Sequence, residues 1–362
     1  MRTNSPEVRA DVAWLMAFSV GLLGGCRSIG PGTVARDRYD YSSSISESWK
    51  RQTLLNIVKL RYLDPPIFVD VGQIVAGYSL ETGVSLGGQV ADPRANSLAL
   101  GASGRFTDRP TITYTPLTGN KFVKALMTPL PTESVFSTIQ SGWPADGVLL
   151  AAVVSINGLK NQEISIAGVT LSSPGFVRAL ELLRSIQLSG AVSLRVQQDA
   201  QKQQTTLLTL RSQGISEAAL ADIRELRQLL RLDPEATELT LVFGATASHD
   251  KELAVITRSI LHIMSTMAAQ AEVPADDVAQ GRATPGLESG GDAPEPQRLM
   301  RIRSSNSTPS EASTAVQYRD HWFWIDDRDL KSKRAFAFML MLFTLAETGE
   351  KESLPLITIP AQ

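Results

Sequence analysis

Residues 173–210, SPGFVRALELLRSIQLSGAVSLRVQQDAQKQQTTLLTL, decide the fold class. Ser173 carries a hydroxyl that can accept from the free amides of a helix start, and Pro174 has the fixed φ suited to the first helical position. The run FVRALELLRSIQLS follows at helical spacing until Gly190, a residue that can take the left-handed conformation ending a helix. Beyond it, AVSLRV (191–196) and TTLLTL (205–210) are two β-forming runs separated by polar residues, which predicts a hairpin. A helix followed by a hairpin, repeated along the chain, predicts an α+β fold.

Downstream, Ser216 caps a helix striped by Leu220, Ile223, Leu226 and Leu230, and ELTLVFG (238–244) has the composition of a buried strand. A long helix is expected over about 248–271, strands near 298–304 and 315–326, a helix at about 327–347 and a last strand at 355–361. Between them, residues 272–297 hold no aromatic, four prolines, four glycines and six acids against one arginine. That composition offers little apolar surface to offset ordering entropy, so a disordered acidic insertion is expected there.

Upstream, VLLAAVVSI (148–156) is expected as a strand closed by Asn157-Gly158, preceded by helices at about 119–128 and 132–141. Ser44-Ile45-Ser46-Glu47 matches a capping box opening a helix that must stop near Asp64-Pro65-Pro66. A Gly-rich region of period two lies between. Val84, Leu86 and Val90 alternate with small or polar residues, as do Leu98, Leu100, Ala102 and Phe106, with Asp92–Asn96 separating the runs. Ile112 and Tyr114 suggest a third strand, giving an antiparallel meander with one apolar face. The two runs, 84–91 and 97–106, are eight and ten residues long and lack aromatics at both ends, so a soluble sheet is expected rather than a membrane barrel.

The composition is that of a globular chain, 43% hydrophobic and 20% charged, with 35 basic and 37 acidic residues. Such a balance lacks the basic surface needed to neutralise phosphates, which argues against a nucleic-acid partner. Residues 12–25, VAWLMAFSVGLLGG, form an apolar run too short to cross a bilayer but suited to a signal peptide. The following Leu23-Gly24-Gly25-Cys26 resembles the lipobox of bacterial lipoproteins. That resemblance implies cleavage by signal peptidase II before Cys26, the only cysteine, and acylation of its sulfur and amine. Arg27, standing where aspartate would retain a lipoprotein at the inner membrane, implies the outer membrane facing the periplasm. Residues 46–66 and 321–349 are similar to segments of uncharacterised proteobacterial lipoproteins, a likeness that implies the compartment and no activity.

The expected organisation is a signal peptide at 1–25 and a flexible tether over 26–43. A helix with a Gly-rich meander follows over 44–130, then an α+β domain over 131–362 with the insertion at 272–297. His249, His262 and His321 show no metal-ligand spacing, and no cofactor or catalytic motif is present. Asp326, Asp327 and Asp329 stand where acids cap a helix, and Arg224, Arg227 and Arg231 are expected on a solvated helix face. The function expected is a non-enzymatic envelope lipoprotein, held in the bilayer through acylated Cys26, that scaffolds an envelope protein partner. The alternatives are an oligomeric outer-membrane pore or export component, or an envelope enzyme using Asp326, Asp327 or His321.

Overall fold

The computed structural model describes residues 34–75, 77–90, 96–165, 168–198, 204–211, 213–284 and 297–346. Cys26, the apolar run before it and the strand expected at 355–361 lie outside them. The chain forms two compact units, Met1–Trp49 with Val69–Pro116, and Lys50–Phe68 with Leu117–Gln362. The fold is α+β.

In the first unit, helix α1 (Val34–Arg61, which continues into the second) begins ten residues before Ser44. The segment expected as a tether is therefore helical over 34–43, and Ser44 sits inside a turn instead of capping one. Strands β1 (Phe68–Val75), β2 (Tyr78–Val90), β3 (Asn96–Asp108) and β4 (Thr111–Leu117) follow. They do not make a meander: β2 pairs with β3 and β1 with β4, as nested hairpins. Strands β2 and β3 are antiparallel, and the sequence-adjacent strands β1 and β2 do not pair.

The second unit centres on a six-stranded sheet ordered β6-β5-β12-β11-β10-β9, of Leu159–Lys160, Val153–Ile156, Glu252–Thr257, Glu238–Phe243, Gln204–Leu210 and Val192–Gln198. Only β11 and β12 are parallel. Helices α2 (Asn120–Met127), α3 (Thr132–Gln140), α4 (Ala145–Ala152) and α5 (Pro174–Leu188) surround it. A small hairpin, β7 (Glu163–Ser165) with β8 (Gly168–Thr170), precedes α5. Ser173 accepts the Phe176 amide at the start of α5, and Gly190, at φ 69°, ends it, as the sequence predicts. Residues 148–152, expected as strand, are instead the body of α4. Six of its eight residues are buried, so the run has no polar face for periodicity to detect. The long helix expected over 248–271 is strand β12 followed by α7 (Ile260–Ala269), with Ser259 capping the latter.

Helices α6 (Glu217–Leu229) and α8 (Ala275–Ala279), strands β13 (Arg303–Ser305), β14 (Ala312–Tyr318) and β15 (His321–Asp326), and helix α9 (Leu330–Ala346) complete the unit. Strand β15 lies between β13 and β14, and Arg319 and Asp320 make the tight turn with positive φ.

Helix α8 corrects the expected disorder over its own part of 272–297. Asp277 is 1% exposed, accepts the Tyr62 hydroxyl at 2.6 Å and pairs with Arg282 at 3.0 Å. Arg61 donates to the hydroxyl and carbonyl of Thr284, both at 2.7 Å. A few buried polar bonds thus order a segment too poor in apolar residues to order itself. Asp277→Ala should cost about 2–3 kcal/mol, since a charged acceptor is lost while Arg282 can turn to solvent. The test is the urea midpoint of the second unit's transition; an unchanged midpoint would mean that 272–284 contributes nothing to the fold.

Candidate functional site

The site begins with the alternation of β2 and β3. In β2, the even positions are Tyr78, Leu80, Thr82, Val84, Leu86, Gly88 and Val90; the odd ones are Ser79, Glu81, Gly83, Ser85, Gly87 and Gln89. In β3, the even positions include Leu98, Leu100, Ala102 and Phe106; the odd ones are Ser97, Ala99, Gly101, Ser103, Arg105 and Thr107. Successive side chains on a strand point to opposite faces, so each strand is two-sided.

The register determines whether the two alternations agree, and they do over all 13 pairs. Leu80 stands opposite Phe106, Val84 opposite Ala102 and Leu86 opposite Leu100 on one face. Ser79 stands opposite Thr107, Glu81 opposite Arg105 and Gln89 opposite Ser97 on the other. The result is a ribbon with one mainly apolar face, interrupted by the Thr82–Gly104 pair and bounded by Asp108 at one end and Asn96 at the other, and one polar face. On the polar face Ser79, Glu81, Ser85, Ser103 and Arg105 are exposed. Small residues keep that face shallow: the Ser85 hydroxyl donates to the Gly101 carbonyl at 3.3 Å, and Ser103 to Gly83 at 3.4 Å. A Cβ at Gly101 would lie 2.6 Å from the Ser85 Oγ, so glycine permits that approach.

Each strand of the ribbon has one partner among the described residues, leaving both long edges open. A two-stranded ribbon in water is marginal at best, and open edges invite pairing with further strands. At its base the Arg109 amide donates to the Gly77 carbonyl at 2.9 Å, closing the hairpin's two ends together. The Asp37 carboxylate, in the first turn of α1, accepts a hydrogen bond from Tyr78 and pairs with Arg36 at 3.2 Å. That bond pushes the Tyr78 phenol up to about 12. The start of α1 is thereby held at the base of the hairpin.

No protein family, curated protein or solved structure matches this chain.

The other sequence candidates take separate partners. Asp326 accepts the Arg328 amide at 2.9 Å and pairs with Arg303 at 3.2 Å; Asp327 holds Lys333 at 2.6 Å; Asp329 caps α9 through the Ser332 amide at 3.0 Å. All three are engaged at the start of that helix. His321 meets Asn306 at 2.8 Å and His249 meets Glu252 at 3.3 Å. Among the described residues no group of three or more His, Cys, Asp or Glu is placed to hold a metal ion. Arg224 and Arg231 are exposed as expected, but Arg227 is not. It is 7% exposed and donates to the carbonyls of Pro234 and Ala236 at 2.7 and 2.5 Å, closing the turn after α6.

His262 meets Glu163 at 2.8 Å, with Arg258 3.6 Å from the same carboxylate. The His262 hydrogen bond, reinforced by Arg258 and opposed by burial, holds the Glu163 carboxyl below its usual range. A depressed folded pKa adds stability above the unfolded pKa and loses it as pH falls through the folded one. Glu163→Gln should therefore flatten the decline in stability as the solution is acidified below about 4.5. Urea midpoints taken down the acid limb test this; parallel limbs for the two proteins would contradict it.

The strand residues outside the runs read from sequence are Tyr78–Gly83 in β2 and Asn96, Thr107 and Asp108 in β3. The alternation is clearest from Val84 onward, yet Tyr78-Ser79-Leu80 carries the same period.

Proposed function

We propose that this chain is a lipid-anchored envelope protein whose β2–β3 hairpins, contributed by several copies, close into a β-barrel through the outer membrane. One observation carries the proposal: the 13-pair register that gathers the apolar residues of both strands on one face. A transmembrane strand needs roughly 9–11 residues, tilted about 45°, to cross a hydrocarbon core of about 30 Å. The 13-residue strands exceed that, where the lengths read from sequence fell near or below it. At about 3.4 Å per residue and that tilt they rise about 31 Å. In this arrangement the apolar face meets lipid, the polar face of Ser, Gln and Gly with the Glu81–Arg105 pairs meets water, and each open edge meets a neighbouring copy.

The lipid anchor fits the same geometry. Helix α1 starts at Val34, eight residues after Cys26, a separation the chain can span by at most about 28 Å. Asp37 holds that helix start to Tyr78 at the hairpin base. An acylated Cys26 would lie within that reach of the helix start, on the side from which the hairpin would enter the membrane.

The experiment is conductance. Full-length lipoprotein reconstituted into planar bilayers should give discrete channel steps, and a variant with 78–108 replaced by a short Gly/Ser turn should give none. The Gly77–Arg109 bond makes that excision local. Absence of channels from a homogeneous wild-type oligomer would overturn the pore and return the hairpin to a partner-binding scaffold role.

A further inference from the structure

The second unit contains a cavity unrelated to the hairpin, about 250 Å³ in volume, between α4, α9 and the segment 298–299. Trp143, Leu150, Leu299 and Phe338 wall it. The Trp143 and Phe338 rings lie 5.6 Å apart and tilted by 49°. The Trp143 carbonyl accepts from Gln187 at 2.7 Å, which fixes the backbone carrying the indole. Such a lining takes up an apolar group.

The rim has the opposite character. Arg298, Lys331 and Arg334 stand on it. Lys331, Arg334, Ala335 and Phe338 follow one another at the helical spacing that places them on a single face of α9, cations outermost and the ring innermost. Neither Lys331 nor Arg334 has an ion-pair partner among the described residues. The one acid on the rim, Asp146, faces Arg184 at 3.8 Å. The rim also includes the first turn of α4, where Pro144 is the N-cap and the Ala145 amide donates to the Gln187 Oε1 at 3.0 Å. The positive end of the helix dipole there favours an anion.

We propose that this cavity binds a single-chain anionic amphiphile of the fatty-acid type. Its acyl chain lies against Trp143 and Phe338, and its carboxylate lies among Arg298, Lys331, Arg334 and the start of α4. Volume restricts the occupant. Small-molecule sites are commonly about 300–1,000 Å³, so a cavity at or below the lower limit takes one medium-length chain and excludes a two-chain phospholipid. Charge complementarity sets the head group, since the exposed Lys331 and Arg334 would be opposed by a cationic head and gain nothing from a neutral one.

The test uses the full chain in nonionic detergent and a terminally brominated decanoate, whose bromine quenches a nearby indole. Quenching should saturate. The brominated alcohol of the same length, which partitions into micelles at least as well, should bind at least tenfold more weakly. Lys331→Glu with Arg334→Glu, both exposed and so tolerant of change, should weaken the carboxylate at least tenfold. Trp143→Phe should remove the saturable quenching, leaving only the weak response of the remaining tryptophans. Equal binding of acid and alcohol, quenching that survives Trp143→Phe, or no saturable binding would each overturn the proposal. Tighter displacement by a peptide ending in a free phenylalanine carboxylate would also overturn it, reassigning the cavity to a chain terminus.

Discussion

Arginine at Leu86 or Leu100 is expected to abolish channel formation, whereas arginine at Ser85 or Ser103, one residue along or three, is expected to preserve channels and make them more anion-selective. Leu86 and Leu100 are register partners near the middle of the apolar face. In the proposed barrel they lie near the bilayer midplane, where a lipid-facing arginine costs about 2–4 kcal/mol. That corresponds to about a 30- to 900-fold loss in the insertion equilibrium for each copy, compounded over every copy in the ring. Ser85 and Ser103 lie on the exposed polar face, where a guanidinium stays hydrated. Their effect falls on the ions passing and not on insertion. Single-channel recordings with reversal potentials in a salt gradient distinguish the two outcomes. A soluble sheet predicts no channels from any variant, and channels from Leu86→Arg equal to wild type would place the apolar face away from lipid.

The two-sided hairpin was partly legible in the sequence, because alternation is a local property that each strand carries by itself. Its extent and partners were not. Nesting of β1–β4 outside β2–β3 depends on which strands pair, and an alternating run looks the same in a meander. Helix α5 and the β9–β10 hairpin were legible because Ser173, Pro174 and Gly190 mark their limits chemically. Strand β12 was not. Leu253, Ile256, Ile260 and Ile263 continue a helical spacing across the true boundary at Ser259, and only pairing with the distant strands β5 and β11 makes 252–257 extended. The same holds for Asp277, an acid within an acid-rich and proline-rich stretch whose burial follows from the position of Tyr62, 215 residues earlier. Local chemistry therefore identified the caps at Ser173 and Ser216 and the stop at Gly190 but misplaced a helix start at Ser44, while β12 and the burial of Asp277 depend on non-local partners. The fatty-acid cavity has no sequence signature, since α4 and α9 meet only in the folded unit.

Arg258→Ala should be among the most destabilising single changes in the second unit. Arg258 is 1% exposed and follows β12 directly. Its guanidinium donates to the Leu150 and Ala151 carbonyls at 3.1 and 3.2 Å and to the Gln162 carbonyl, while its amide donates to Ala152 at 2.7 Å. The side chain thus satisfies the last carbonyls of α4 and places a cation at the negative end of that helix. Burial lowers its pKa, yet a guanidinium remains charged. Truncation removes the donors but not the acceptors. Leu150 keeps one bond, from the Asn161 side chain at 2.9 Å, while the Ala151 and Gln162 carbonyls lose theirs beside a new cavity. Breaking a buried charged network of this kind costs about 3–5 kcal/mol. For a unit of this size each kcal/mol lowers Tm by about 2–4 °C, so a fall of about 6–20 °C is expected. Arg258→Lys should recover only part of the loss, because one ammonium cannot reach both the end of α4 and Gln162. Calorimetry of the full chain and both variants tests this. A fall of less than 2 °C for Arg258→Ala would mean that water satisfies the carbonyls, and that α4 is held in place by its apolar face alone.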